Sequence, residues 1–96
     1  MFSFENLKVY RDSLEFAKDI YKLTKRFPKD EIFGLRSQFR RVASSVVLNI
    51  AEGSGLTKEE FQNFLKRARG SVYECITILE TALEARYISS EEYKKT

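Results

Sequence analysis

Pro28 is the only proline in the chain, and its four glycines stand at 34, 53, 55 and 70. Turns and sheet connections depend on these two residue types, so a chain this poor in them is driven toward long helices. The breakers also divide it. Pro28 disfavours a helical conformation at Phe27 and closes a first helix that begins near Asn6, a plausible N-cap, and runs to Arg26. A second helix is expected from Glu31, capped by Asp30, to Glu52, with Gly53 supplying a left-handed C-terminal residue. Thr57-Lys58-Glu59-Glu60 has capping-box spacing and opens a third helix, 58–86. Ser89-Ser90-Glu91-Glu92 repeats the signal, so the stub of a fourth helix is expected from 90. Short links between elements of similar length predict an all-α, antiparallel up-and-down bundle of the four-helix type, with its fourth helix cut to one turn. Ninety-six residues make one domain, 1–96.

Apolar periodicity supports each helix. Phe61, Leu65, Ala68, Val72, Cys75, Leu79 and Ala82 keep a seven-residue repeat along the third. The first carries two stripes, Leu7, Tyr10, Leu14, Ala17 and Tyr21 beside Val9, Phe16, Ile20, Leu23 and Phe27. Together they cover about 200° of the wheel, where one core face needs about 100°. A helix buried on two sides implies a homo-oligomer, with Phe16, Ile20 and Leu23 as the expected interface. Gly70, in mid-helix, is expected where helices pack closely enough to offset its cost of about 1 kcal/mol relative to alanine.

The second helix adds a polar line to its apolar stripe of Leu35, Phe39, Val42, Val46 and Ile50. Gln38, Arg41, Ser45, Asn49 and Glu52 recur at steps of three and four. Joined by Ser71 and Glu74 from the third helix, they read as a buried hydrogen-bond network that fixes helix register, with Arg41 and Glu52 paired. A ligand or partner site is the other reading of the same strip.

Composition excludes much chemistry. The chain has no histidine and one cysteine, Cys75, which removes Ser-His and Cys-His pairs, disulfides within the chain and ordinary zinc sites. Gly53-Ser54-Gly55 lacks the strand and lysine of a phosphate loop. No enzymatic activity, cofactor or metal is expected. No apolar run approaches the roughly 20 residues of a membrane span, and the N-terminus has no secretory pattern, so a cytoplasmic location is expected.

The net charge of +3 is unevenly placed. Between Lys18 and Arg41 lie eight basic residues opposed by Asp19, Asp30 and Glu31 alone. Lys18, Lys22, Lys25, Arg26, Lys29, Arg36 and Arg40 therefore form a candidate surface for RNA or DNA phosphate. An ordinary solvated face, with lysine stems lying over apolar neighbours, is the competing reading.

Leu7-Lys8-Val9-Tyr10, Phe27-Pro28, Gly34-Leu35, Arg40-Arg41, Asn49-Ile50-Ala51-Glu52-Gly53, Phe64-Leu65 and Ala68-Arg69-Gly70-Ser71 follow one another at spacings that carry a resemblance. The chain resembles the bacterial four-helix-bundle proteins encoded in intervening sequences of 23S ribosomal RNA genes. The resemblance implies an up-and-down bundle, assembly into homopentameric rings and no enzymatic activity. It also implies a fold similar to the accessory protein of diversity-generating retroelements, a basic pentamer that binds nucleic acid and a protein partner. Two functions follow: a non-catalytic oligomeric module that binds RNA or DNA without sequence preference, or a protein–protein scaffold.

Overall fold

The computed structural model describes residues 4–31 and 34–95. Four helices follow in order: α1, Phe4–Thr24; α2, Leu35–Ser54; α3, Lys58–Glu84; and α4, Ser90–Lys95. A single 3-10 turn, Lys29–Glu31, lies between α1 and α2. Among the described residues there is no strand, and the expected all-α bundle with a short fourth helix is what forms.

The helix ends depart from expectation at several points, each for a local reason. Asn6 is not the cap of α1, because nothing in Phe4-Glu5 breaks a helix and α1 already runs from Phe4. At its other end α1 stops at Thr24, two residues earlier than expected. The Thr24 hydroxyl donates to the Ile20 carbonyl at 2.8 Å, and the Arg26 and Phe27 amides bond back to the Leu23 and Thr24 carbonyls at 3.1 Å. This tightened turn swings Phe27 inward, where its ring lies 6.3 Å from Phe39 and 5.5 Å from Tyr87.

α2 begins at Leu35, and Asp30 does not cap it. The carboxylate of Glu31 takes that role, accepting the Leu35 amide at 2.8 Å through one oxygen and the Tyr87 hydroxyl at 2.8 Å through the other. The amide, and then the hydroxyl, hold the Glu31 carboxyl below its ordinary value. One side chain thus caps α2 and ties its start to the end of α3.

Gly53 is not a left-handed terminator. It is buried inside α2, which continues to Ser54, and no described glycine has positive φ. Its role is steric: a Cβ there would stand 2.6 Å from Phe64 Cβ and 2.8 Å from Phe61 Cδ1. Glycine is what lets the start of α3 cross so close to α2.

α3 opens as expected, with the Thr57 hydroxyl accepting the Glu60 amide at 3.2 Å. The left-handed residue missing at Gly53 occurs instead after α3, at Arg86, φ 62°. The Arg86 amide reaches the Leu83 carbonyl at 3.0 Å and the Tyr87 amide reaches Ala82 at 2.9 Å. That pair is a Schellman closure, normally built on glycine. It turns the chain into α4, whose capping box is reciprocal: Glu92 N–H to Ser89 Oγ at 3.1 Å, and Ser89 N–H to Glu92 Oε1 at 2.9 Å. An ion pair of Glu92 with Arg26 fastens this turn to the end of α1.

α2 is the central element, with α1 and α3 packed antiparallel along it and scarcely on one another. The molecule measures 42 × 22 × 17 Å. Ile20, Phe27, Phe39, Val42, Ala43, Cys75, Ile78, Leu79, Ala82 and Ile88 form the larger buried cluster. Val46, Ile50, Phe61 and Ala68 form a second one toward the α2–α3 turn. Cys75 is fully enclosed, and burial, aided by the charge of Glu74, pushes its thiol up to about 11. Such a thiol is a small apolar core residue, inert at neutral pH. No helix among the described residues is long and apolar enough to cross a membrane.

The expectation for Gly70 is overturned. It is exposed, and a Cβ built on it would meet no atom within 4 Å. No close approach offsets its conformational cost, so Gly70→Ala should stabilise the subunit by about 1 kcal/mol. A thermal melt at matched protein concentration should show a rise of about 4–8 °C for a domain of this size.

Candidate nucleic-acid interface and the polar strip

The seven basic residues expected to form one surface divide into two groups. Arg40 is structural: its Nε donates to Thr24 Oγ1 at 2.8 Å, its terminal nitrogen to the Tyr21 carbonyl at 3.1 Å, and its guanidinium lies 4.9 Å from the Tyr21 ring centre. An arginine so placed satisfies a carbonyl at the C-terminus of α1 and complements its macrodipole. Arg26 is engaged with Glu92, and Lys18 pairs with Glu15 at 3.1 Å across one turn of α1. Lys22, Lys25, Lys29 and Arg36 have no carboxylate within ion-pair distance among the described residues. These four flank the turn between α1 and α2, the three lysines exposed and Arg36 half-buried. They are the part of the predicted surface left available to a phosphate.

The polar strip is also smaller than expected. Ser71 donates to Ser45 Oγ at 3.1 Å, and the Asn49 amide donates to the Ser45 carbonyl at 2.8 Å and hydroxyl at 3.2 Å. These three side chains join α2 to α3. Gln38, Arg41, Glu52 and Glu74 do not enter the network; all four are exposed in the subunit, and Arg41 and Glu52 form no ion pair with each other. The reason is helix phase. Arg41 and Glu52 fall on the outward edge of the strip, past the line where α3 touches α2, whereas Gln38 shares the angle of Ser45 and Asn49 but lies two turns nearer the start of α2. Together with Ser44, Ser45, Leu48 and Asn49, Arg41 and Glu52 border a shallow surface depression of about 350 Å³ on the back of α2.

The expected oligomer interface is corrected as well. Ile20 is wholly buried in its own subunit, and Phe16 and Leu23 are half-buried against the same core. α1 does carry two apolar stripes, but the one assigned outward is the one that faces in. Leu14 and Tyr21, from the other stripe, are exposed, and so is Val9, the first member of the stripe that otherwise faces in. On α3, Tyr73 and Ile76 are exposed in the same manner. Hydropathy could find both stripes; only the position of α2 decides which is covered. The Tyr21 and Ser44 hydroxyls share a hydrogen bond at 3.2 Å, which marks the edge where α1 meets α2.

Among the described residues no group of three acidic or cysteine side chains is arranged to hold a metal. What the geometry defines is an all-α module of three packed helices and one docked turn, with a cationic turn at one end and a polar, uncovered helix back. The sequence profile of the 23S rRNA-intervening sequence proteins matches residues 5–96, and the chain belongs to that family. No curated protein matches the chain at a significant level.

Proposed function

We propose that this protein is a non-catalytic, self-associating helical module whose α1–α2 end holds nucleic-acid phosphate. One observation carries the reading: Lys22, Lys25, Lys29 and Arg36 gather at a single turn with no carboxylate partner among the described residues. Unpaired cations release counterions from a phosphate backbone without first breaking an ion pair of their own. Self-association, into five subunits as the resemblance implies, would repeat that turn and raise the local potential. No base-reading arrangement accompanies it, so binding should ignore sequence.

The test is retention of a generic single-stranded RNA and a duplex DNA as salt is raised from about 50 mM. Each phosphate contact contributes about −0.7 to −0.9 to the slope of log affinity against log salt. A site of four cations should therefore give a slope no steeper than about −4 per subunit. Changing Lys22, Lys25 and Lys29 together to glutamine should abolish most retention and leave the helical content unchanged, since all three are exposed. Arg40 is kept out of the substitution because it supports the end of α1. Absence of retention by the parent protein at about 50 mM salt would sink the phosphate reading. The scaffold reading would then stand, and the exposed Leu14, Tyr21, Tyr73 and Ile76 favour it independently.

A further inference from the structure

We infer that the outer face of α1 is a track for single-stranded nucleic acid, with Tyr21 as the platform on which an unpaired base stacks. The inference deepens the phosphate-binding reading above and rests on it. Along this face Arg11, Leu14, Lys18 and Tyr21 lie within an arc of about 80°, at steps of three and four residues. Lys25 continues the spacing one residue past the helix end. Cations thus recur at positions 11, 18 and 25, with an apolar or aromatic side chain between each pair. All five residues are exposed. Arg11, Leu14 and Lys18 border, with Glu15, a shallow depression of about 290 Å³. From there the strip leads past Tyr21 to the lysines of the α1–α2 turn.

Tyr21 is held in place for such a role. Its hydroxyl shares a hydrogen bond with Ser44 at 3.2 Å, and the Arg40 guanidinium lies over the ring, 4.9 Å from its centre. Arg40 is itself fixed by Thr24 and by the Tyr21 carbonyl. One face and the tip of the ring are therefore engaged, yet the residue is still 42% exposed, which leaves the second face to solvent. A base offers its own face to such a ring only when it is unpaired and unstacked. In a duplex those faces are taken by neighbouring bases, and a convex helix surface meets only the phosphate backbone. Stacking is indifferent to which base is present, in keeping with the absence of base-reading groups. The pairing of Lys18 with Glu15 spans one exposed turn, a contact weak enough to exchange for phosphate.

The experiment measures binding of three probes: an oligothymidylate, a strand of equal length with abasic residues, and a duplex. The parent should bind the intact strand about tenfold more tightly than the abasic one. Tyr21→Leu keeps apolar bulk but removes the ring. It should lose that preference, bind the duplex and the abasic strand like the parent, and keep the parent's salt slope, because stacking releases no counterions. Tyr21→Phe keeps the ring and should bind all three probes like the parent. Arg11→Gln should reduce the slope on the intact strand by about 0.7. Far-UV circular dichroism controls for folding, and the comparison of intact with abasic strands is made on the parent, so it stands if a variant fails to fold. Equal binding of those two strands by the parent would show that stacking is wrong while the phosphate site stands. A changed sedimentation rate for Tyr21→Leu would assign the ring to a contact between copies and would also overturn stacking. A parent that retains none of the probes at about 50 mM salt would overturn both readings.

Discussion

Ile20→Asp should leave no folded protein. The side chain it replaces has 0% exposure and packs within the larger buried cluster of α1, α2 and α3. No cationic side chain belongs to that cluster, so an ionised carboxylate there would be desolvated without a partner, at several kcal/mol. Domains of this size hold only about 5–15 kcal/mol in total. The far-UV spectrum of the variant should lack the parent's helical signal, or its urea midpoint should fall near zero. Ile20→Val removes one methylene and should cost only about 0.5–1.5 kcal/mol, keeping the fold and any assembly. The pair separates two roles: an interface residue changed to aspartate would give a folded monomer, and a core residue gives an unfolded chain. A folded, monomeric Ile20→Asp would show that the side chain leaves the core in solution.

Gly53→Ala should destabilise the protein even though alanine is the better helix former. The added methyl would stand 2.6 Å from Phe64 Cβ and 2.8 Å from Phe61 Cδ1. A Cβ is fixed to its backbone, so relief requires the start of α3 to move away from α2. Overpacking of that kind costs about 1–3 kcal/mol, which exceeds the gain of about 1 kcal/mol in propensity. Gly53→Val adds two more methyl groups and should fall at or beyond the upper end. Urea midpoints at constant slope provide the measurement. The same glycine-to-alanine change at position 70, also within a helix, has the opposite expected sign. If positions 53 and 70 responded alike, the close α2–α3 crossing would be disproved.

The local rules of helix formation account for most of what could be read without coordinates. Thr57 and Ser89 announce their helices because a hydroxyl followed three residues later by glutamate satisfies amides within its own turn, whatever surrounds it. Pro28 limits α1 for an equally local reason. Gly53 and Gly70 show where such rules stop. Both fit the idea of a glycine with a job, terminating one helix and packing against another, and both assignments failed. A glycine is required at 53 by rings from a different helix, and at 70 by nothing in the described subunit. Arg86, the residue that does adopt the left-handed conformation, carries no glycine signal at all. It is held there by the Schellman bonds of Arg86 and Tyr87 and by Tyr87 reaching Glu31, 56 positions earlier.

The candidate sites follow the same division. Lys18 to Arg41 was visible as a basic run because charge is a property of composition. That Arg40 closes α1, that Arg26 holds α4, and that Lys22, Lys25, Lys29 and Arg36 stay free depended on which carboxylates and carbonyls the fold brings near. In the polar strip, spacing placed Gln38, Arg41, Ser45, Asn49 and Glu52 on one side of α2. It could not say where along that side α3 would lie, and the crossing takes Ser45 and Asn49 and leaves the others outside.

The sequence by itself determined four helices, their order, their antiparallel succession and the apolar stripes by which they pack, because each rests on interactions within about one turn of chain. Only the tertiary structure decided which stripe of α1 is core, which cations are engaged and which back of α2 is bare. Those properties belong to pairs of residues far apart in sequence, and a periodic pattern fixes the angle of a side chain about its own helix but not the direction in which that helix faces its neighbours.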